Sequence, residues 1–323
     1  MCAPTVPQAH GTADGQRTCE CTDNGSMNQL PATPCYLNGE FTPLCDAKVS
    51  VMDRGFIFGD GIYEVVPVYR GRPFRFAQHM ARLERSLQEM RIVNPMTREQ
   101  WLGVATQLVA HGAAAAAQAP ADLDQIVYIQ VTRGVAMRDH VMPSNLTPTV
   151  FAMANPMRVP APGQRQQGVA CVSADDFRWK KAHIKSTSLL GAVFARQISF
   201  DVGAVETVMF RDGFLSEAAA SNVWVVKNNA VVGPPKDNLV LEGIRYGLIE
   251  EMCARAGLPF ALRRISRDEV LSADELLLTS ATKEVLAITS LDGVPVGNPA
   301  HRGRPGPVAA KLYDAYQLAK EAS

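Results

Sequence analysis

The feature that most limits what this chain can fold into is a set of tight-turn signals between short apolar runs. Asn38-Gly39 separates Tyr36-Leu37 from Phe41. Arg211-Asp212-Gly213 separates residues 206–210 from 214–217, and Asn228-Asn229 separates 223–226 from 230–232. Asn, Asp and Gly tolerate the left-handed backbone that hairpin loops need, so each site predicts two antiparallel strands. Further strands are predicted over 62–69, 126–132, 149–153, 169–172 and 275–278. Phe76, Met80, Leu83, Leu87 and Met90 recur at helical spacing, which predicts an amphipathic helix over 77–92. Other helices are predicted over 97–111, 189–201, 243–256 and 307–321, with a loop or frayed helix end at the alanine run 113–117. Helices and strands do not alternate strictly. The pattern therefore predicts an α+β fold with mostly antiparallel hairpins, not a doubly wound parallel sheet.

A chain of 323 residues holds two domains of ordinary size. Pro156, Pro160, Pro162 and Gly163 mark a linker over 156–164. It would divide a smaller domain over 27–155 from a larger one over 165–323. Residues 1–26 lack an apolar period and read as a disordered extension, with Met27 directly after it. No apolar stretch reaches the roughly 18 residues of a bilayer span. Lys plus Arg and Asp plus Glu both number 32, so the net charge is zero, which argues against a broad nucleic-acid or acidic-membrane partner. The seven cysteines are irregularly spaced, and no second pair joins Cys19 and Cys21 to complete a metal knuckle. Free thiols in a reducing cytoplasm, with no metal, are the expectation.

Several residues are placed for chemistry. Lys185 precedes Ser186-Thr187-Ser188 and an apolar run over 189–195. A lysine there either forms a Schiff base with a carbonyl or caps a surface turn. Glu217 ends a strand and is followed by Ala218-Ala219-Ala220, small enough to let a flat ligand lie on the backbone. Its carboxylate either pairs with a protonated ring nitrogen or stays exposed. Gly243 at a helix start and the turn Thr279-Ser280-Ala281-Thr282 offer amides and hydroxyls to a phosphate, unless Gly243 is an ordinary turn glycine. Arg82 beside an apolar stripe is a phosphate fork or a snorkelling arginine. Arg138 and His140, at i and i+2, would point the same way in an extended segment and grip one carboxylate, or belong to a solvated loop.

Five segments resemble, in order, the motifs of the fold-type IV pyridoxal-phosphate enzymes. They are 53–64, 79–83, 184–186, 217–222 and 241–244, and the match spans nearly all of 35–320. Within the family, residues 131–140 are similar to the D-amino-acid transaminase branch. There an Arg-x-His element binds the substrate α-carboxylate and reaches across a dimer interface.

The resemblance implies two α+β domains with pyridoxal 5'-phosphate between them. Lys185 would hold the cofactor as a Schiff base, Glu217 would pair with the ring nitrogen, and Leu241 would pack on the ring face. Arg82, Gly243, Ile244, Ser280 and Thr282 would surround the phosphate. Tyr63, Arg138 and His140 would receive the substrate carboxylate. The implied reaction is ping-pong transamination between a D-amino acid and a 2-oxo acid in a cytoplasmic homodimer. Branched-chain L-amino-acid transaminases and aminodeoxychorismate lyases are the alternatives within the family, and a catalytically silent binding protein is the alternative outside it. The chain departs from the family pattern at Arg245 and Ala281, where hydroxyl residues are usual, and at Ala218, Ala219 and Ala220, where serines are usual. Arg245 is expected to compensate at the phosphate, directly or through water.

Overall fold

The computed structural model describes residues 30–322. The extension expected at 1–26, with Met27 and Cys2, Cys19 and Cys21, lies outside the described residues. The first sheet contains β1 (Pro34–Leu37), β2 (Glu40–Pro43), β3 (Gly61–Tyr69), β4 (Arg72–Pro73), β5 (Gln125–Thr132) and β6 (Thr149–Pro156). Its order is β2-β1-β6-β5-β3-β4, antiparallel throughout. Helices α1 (Arg54–Phe58), α2 (Phe76–Glu89) and α3 (Arg98–Ala115) accompany it. Thr97 and Gln100 form a reciprocal cap at the start of α3. Met80, Leu83 and Leu87 of α2 and Leu108 of α3 pack with Ile62, Val66 and Ile129 of the sheet into one core.

The second sheet is built from β7 (Val169–Asp175), β8 (Glu206–Arg211), β9 (Phe214–Ala218), β10 (Asn222–Lys227) and β11 (Ala230–Gly233). It continues with β12 (Phe260–Leu262), β13 (Glu275–Ser280), β14 (Glu284–Leu291) and β15 (Val294–Pro295). The main order is β12-β11-β10-β13-β14-β7-β8-β9, with β15 beside β14. Helices α4 (Pro162–Gln167), α5 (Leu190–Asp201), α6 (Arg245–Ala256), α7 (Arg267–Leu271) and α8 (Pro307–Glu321) complete the structure. Both carboxylate oxygens of buried Glu275 accept from the first amides of α8, Val308 N at 2.9 Å and Ala309 N at 2.8 Å. A carboxylate at a helix N-terminus satisfies orphan amides and complements the dipole.

The three expected hairpins form. Asn38, Asp212, Asn228 and Asn229 all take positive φ between 49° and 63°. Other expectations need correction. The second sheet is not only hairpins: β7–β8, β14–β7 and β11–β12 are parallel. The first of these pairs is joined through α5, because the chain must cross the sheet to run in the same direction again. The stretch expected as a linker keeps an irregular run at 157–161 between two elements. β6 runs to Pro156, and α4 starts with Pro162, whose fixed φ and missing N–H suit a first helical turn. The alanine run continues α3 to Ala115. Helix α6 begins at Arg245, two residues later than expected, because Ile244 is the N-cap.

A backbone contact ties the first sheet to the segment that leads from β7 to α5. The segment between β7 and α5 folds back on the start of β3, with a bridge between Ile62 and Ser186. Tyr63 N donates to Lys185 O, and Thr187 N donates to Gly61 O, both at 2.9 Å. The Thr187 and Ser188 hydroxyls each reach Gly59 O at 2.9 Å. The approach is too close for side chains on this stretch: a Cβ on Gly61 would sit 2.8 Å from Val131 O and 3.2 Å from Thr187 Oγ1. Gly61→Ala should therefore destabilise the protein by about 1–3 kcal/mol, read as a lower urea midpoint at unchanged m-value.

Candidate active site

The strand–segment contact places Lys185 at a cleft of about 690 Å³. The cleft is walled on one side by Tyr63, His79 and Arg82 of the first sheet and α2. On the other it is walled by Lys185, Glu217, Gly243, Arg245 and Ser280 of the second layer. This volume suits a cofactor-sized ligand together with a small substrate. Lys185 Nζ lies 4.1 Å from the centroid of the Tyr63 ring, which stacks in turn on Tyr128 at 5.8 Å.

Glu217, next to last in β9, lines the cleft and is 5% exposed. Its Oε1 accepts from Arg178 Nη1, its Oε2 accepts from Asn222 Nδ2 at 3.0 Å, and Leu241 N lies 3.2 Å from Oε2. Burial pushes its carboxyl above the usual range, and the Arg178 cation and Leu241 amide pull against that shift. Arg178 is itself clamped by a two-point contact to Asp176, with Nε and Nη2 each at 2.9 Å. A buried carboxylate facing a cleft this way is equipped to hold a proton on a ligand's ring nitrogen.

Arg82 is buried on α2. Its Nε and Nη2 donate to Glu64 at 2.6 and 2.8 Å, and its Nη1 reaches Glu242 O at 3.1 Å. Leu241 therefore meets Glu217 while the next residue, Glu242, meets Arg82, so one turn touches both functional groups. Glu64 also bonds His79 Nδ1 at 2.8 Å. Arg82 holds the Glu64 carboxyl far below the ordinary range despite its complete burial. Burial pushes the His79 imidazole below its ordinary 6.5, helped by the nearby Arg82 and Arg245 cations and opposed by Glu64. Neutral His79 donates its Nδ1 proton to Glu64, which leaves Nε2 an acceptor without a partner at the cleft wall.

Leu241, Gly243, Ile244, Arg245, Ser280 and Ala281 all line the cleft. Thr282 does not; it lies in the turn after β13, and Thr279 lines the wall instead. Gly243 has no room for a side chain, since a Cβ would meet Asn222 Oδ1 at 2.1 Å. Arg138 and His140 do not line the cleft of their own chain. They are exposed and flank Phe58, with the Arg138 guanidinium carbon and the His140 ring each 5.5 Å from its ring centroid. Their segment is bent rather than extended, because buried Arg54 donates to Asp139 O at 2.6 Å. Among the described residues there is no cluster fit to hold a metal ion.

Sequence reasoning left Glu64, His79 and Arg178 without roles. For Glu64 a signal exists: it is the single charge in the apolar run of β3. Arg178 carries none, because only folding of the 176–185 segment brings it to Glu217.

Two tests follow from the buried charges. Glu64→Gln leaves Arg82 without its counter-charge and should cost about 3–5 kcal/mol in urea unfolding. Unfolded His79 takes up a proton near its ordinary value, whereas the folded imidazole resists it. Stability from this group is thus present above pH 6.5 and lost as pH falls below it. The drop in urea midpoint between pH 7.5 and 5 should be smaller in His79→Gln than in wild type.

Comparison with known proteins fits this geometry. The amino-transferase class IV family matches residues 61–291. The chain is 36% identical to a D-alanine aminotransferase of Bacillus licheniformis over 284 residues, 87% of this chain and 94% of that enzyme. It is 32% identical to a D-alanine aminotransferase of Staphylococcus haemolyticus, over 88% of this chain and 96% of the other. Among solved structures, the Thermoproteus uzoniensis branched-chain aminotransferase superposes with a TM-score of 0.77 at 22% identity, covering 90% of this chain and 95% of that one. The Escherichia coli branched-chain amino acid aminotransferase gives 0.75 at 21%, covering 88% and 93%. The two solved structures share the fold, and the chain belongs to the class IV, pyridoxal-phosphate-dependent aminotransferase family.

Proposed function

We propose that this aminotransferase moves an amino group between a D-amino acid and a 2-oxo acid, working as a homodimer. The observation that carries the reading is one cleft that gathers an amine, a buried carboxylate and three guanidinium groups. These groups fit pyridoxal phosphate. Lys185 would hold it covalently, Glu217 would meet its ring nitrogen, and Arg82, Arg245 and the Ile244 amide would hold its phosphate. Leu241 would cover a ring face, and Ala218 to Ala220 leave room for a flat ring. When bound, this group supplies an electron sink for the charge left as a proton leaves the substrate Cα.

The chain's own residues do the rest. The Lys185 amine would take the proton from the substrate Cα as a general base and, as a general acid, deliver it to the carbon that was the cofactor's aldehyde. The backbone contact to β3 fixes where that amine can reach. Glu217, steadied by Arg178 and Asn222, keeps a proton on the ring nitrogen. Tyr63 bounds the space around the amine, and the aromatic and apolar rim limits water.

The D preference is supported by the names of the two relatives and by the Arg138/His140 element. The dimer is supported by apolar surface around that element and on α5: Met137 is 83% exposed, Leu190 69% and Phe200 67%. A soluble chain rarely leaves so much apolar surface uncovered. Arg138 and His140, which miss their own cleft, would enter the neighbouring copy's. Buried thiols at Cys35, Cys171 and Cys253 support a reducing, cytoplasmic setting. No described helix is long and apolar enough to cross a membrane.

Single-turnover spectra with D-alanine, D-glutamate, L-alanine and L-leucine test the reaction. The D-amino acids should bleach the visible band, Lys185→Ala should lack the band, and bleaching by L-leucine alone would refute the D reading. Subunit mixing tests the shared site. Lys185→Ala and Arg138→Ala homodimers should each be inactive. Their random reassortment should restore about a quarter of wild-type sites, since only one site in each mixed dimer is intact. No recovery would show that Arg138 serves its own chain.

A further inference from the structure

Four arginines are buried among the described residues, and three have a carboxylate in contact. Arg54 and Arg133 share Asp60, and Arg82 holds Glu64. Arg245 differs. It is 3% exposed and has no described carboxylate within ion-pair distance. Its Nη2 donates to the Tyr316 hydroxyl at 2.6 Å and lies 3.4 Å from Ala281 O, while its Nε has no partner. The side chain lines the cleft, as Arg82 does. A buried guanidinium without a counter-charge costs several kcal/mol on the order-of-magnitude scale for such groups, so its retention calls for an anion. Arg82 and Glu64 neutralise each other. Arg245 is therefore the net positive charge on this part of the wall.

The hydroxyl that Arg245 meets is held in turn. Tyr316, fully buried on α8, lies 3.2 Å from the Tyr69 hydroxyl, which donates to Glu284 Oε1 at 3.2 Å. Arg165 and Lys320 anchor Glu284, each at 2.9 Å. Because Arg245 can only donate, the protons run one way, from Arg245 to Tyr316 to Tyr69 to Glu284. Such a chain polarises each member and fixes the direction of the first.

We infer that Arg245 is a second guanidinium for the cofactor phosphate, replacing hydroxyls absent at positions 245 and 281, and that Tyr316 is the positioning residue that aims it. The inference rests on the proposed reading of the cleft. It predicts that C-terminal helix α8 governs cofactor retention without touching the reacting atoms.

The test is spectroscopic titration of apoenzyme with pyridoxal phosphate and, separately, with pyridoxal, which lacks the phosphate. Arg245→Ala should weaken pyridoxal phosphate by about 10- to 100-fold, the range for a lost charge-assisted bond, while pyridoxal binding changes by less than about 2-fold. Tyr316→Phe should show a smaller loss with the same phosphate selectivity, and Arg245→Lys should recover part of the affinity. Inorganic phosphate should raise the apoenzyme Tm of wild type and not of Arg245→Ala. Without phosphate, the Arg245→Ala apoenzyme should be at least as stable as wild type, since a buried unpaired charge is gone. Equal losses for both ligands, or no loss for pyridoxal phosphate, would overturn the inference. If wild type itself gives no chromophore, the reading of the cleft fails; if wild type gives one and Arg245→Ala binds as tightly, only the role of Arg245 fails.

Discussion

The site depends on a short stretch of backbone pairing between the first sheet and the segment that joins β7 to α5. Residues 185–187 add to the start of β3 through Tyr63 N to Lys185 O and Thr187 N to Gly61 O, both at 2.9 Å. Backbone bonds of this kind fix a Cα position more firmly than side-chain contacts do, because few torsions remain free. Lys185 thus faces the cleft over the Tyr63 ring. Gly59 and Gly61 are what make the approach close enough, and the hydroxyls of Thr187 and Ser188 seal it.

Around that fixed point the fold distributes buried charge unevenly. Each carboxylate near the cleft has a cation close by: Glu64 has Arg82, and Glu217 has Arg178. These pairs hold geometry and leave little net charge. Lys185 and Arg245 remain as the cationic groups that a ligand can answer. On the proposed reading, the amine would meet a carbonyl, the carboxylate a ring nitrogen and the spare positive charge a phosphate.

Much of this was legible in the linear chain. Lys185, Glu217, Arg82, Gly243 and Arg245 sit within contiguous segments whose local pattern survives folding. The hairpins at Asn38-Gly39 and Asn228-Asn229 declare themselves because their turn backbone demands those residue types. What could not be read depends on closure over distance. Arg178 meets Glu217 only after β7 and β9 are brought together around β8. Tyr316 meets Arg245 across 71 positions of sequence. Strand β14 escaped because its apolar stretch, Val285 to Ile288, is short and shows no alternation to betray its period. Thr282 looked equivalent to its neighbours Ser280 and Ala281, yet the turn after β13 carries it off the cleft wall.

The central claim is that this backbone contact makes Lys185 the amine that holds the cofactor. Borohydride reduction of enzyme loaded with pyridoxal phosphate, followed by mass mapping of peptides, tests it most directly. The account predicts the reduced cofactor on the peptide containing Lys185. Its appearance on Lys180, Lys181 or Lys283, with Lys185 unmodified, would contradict it.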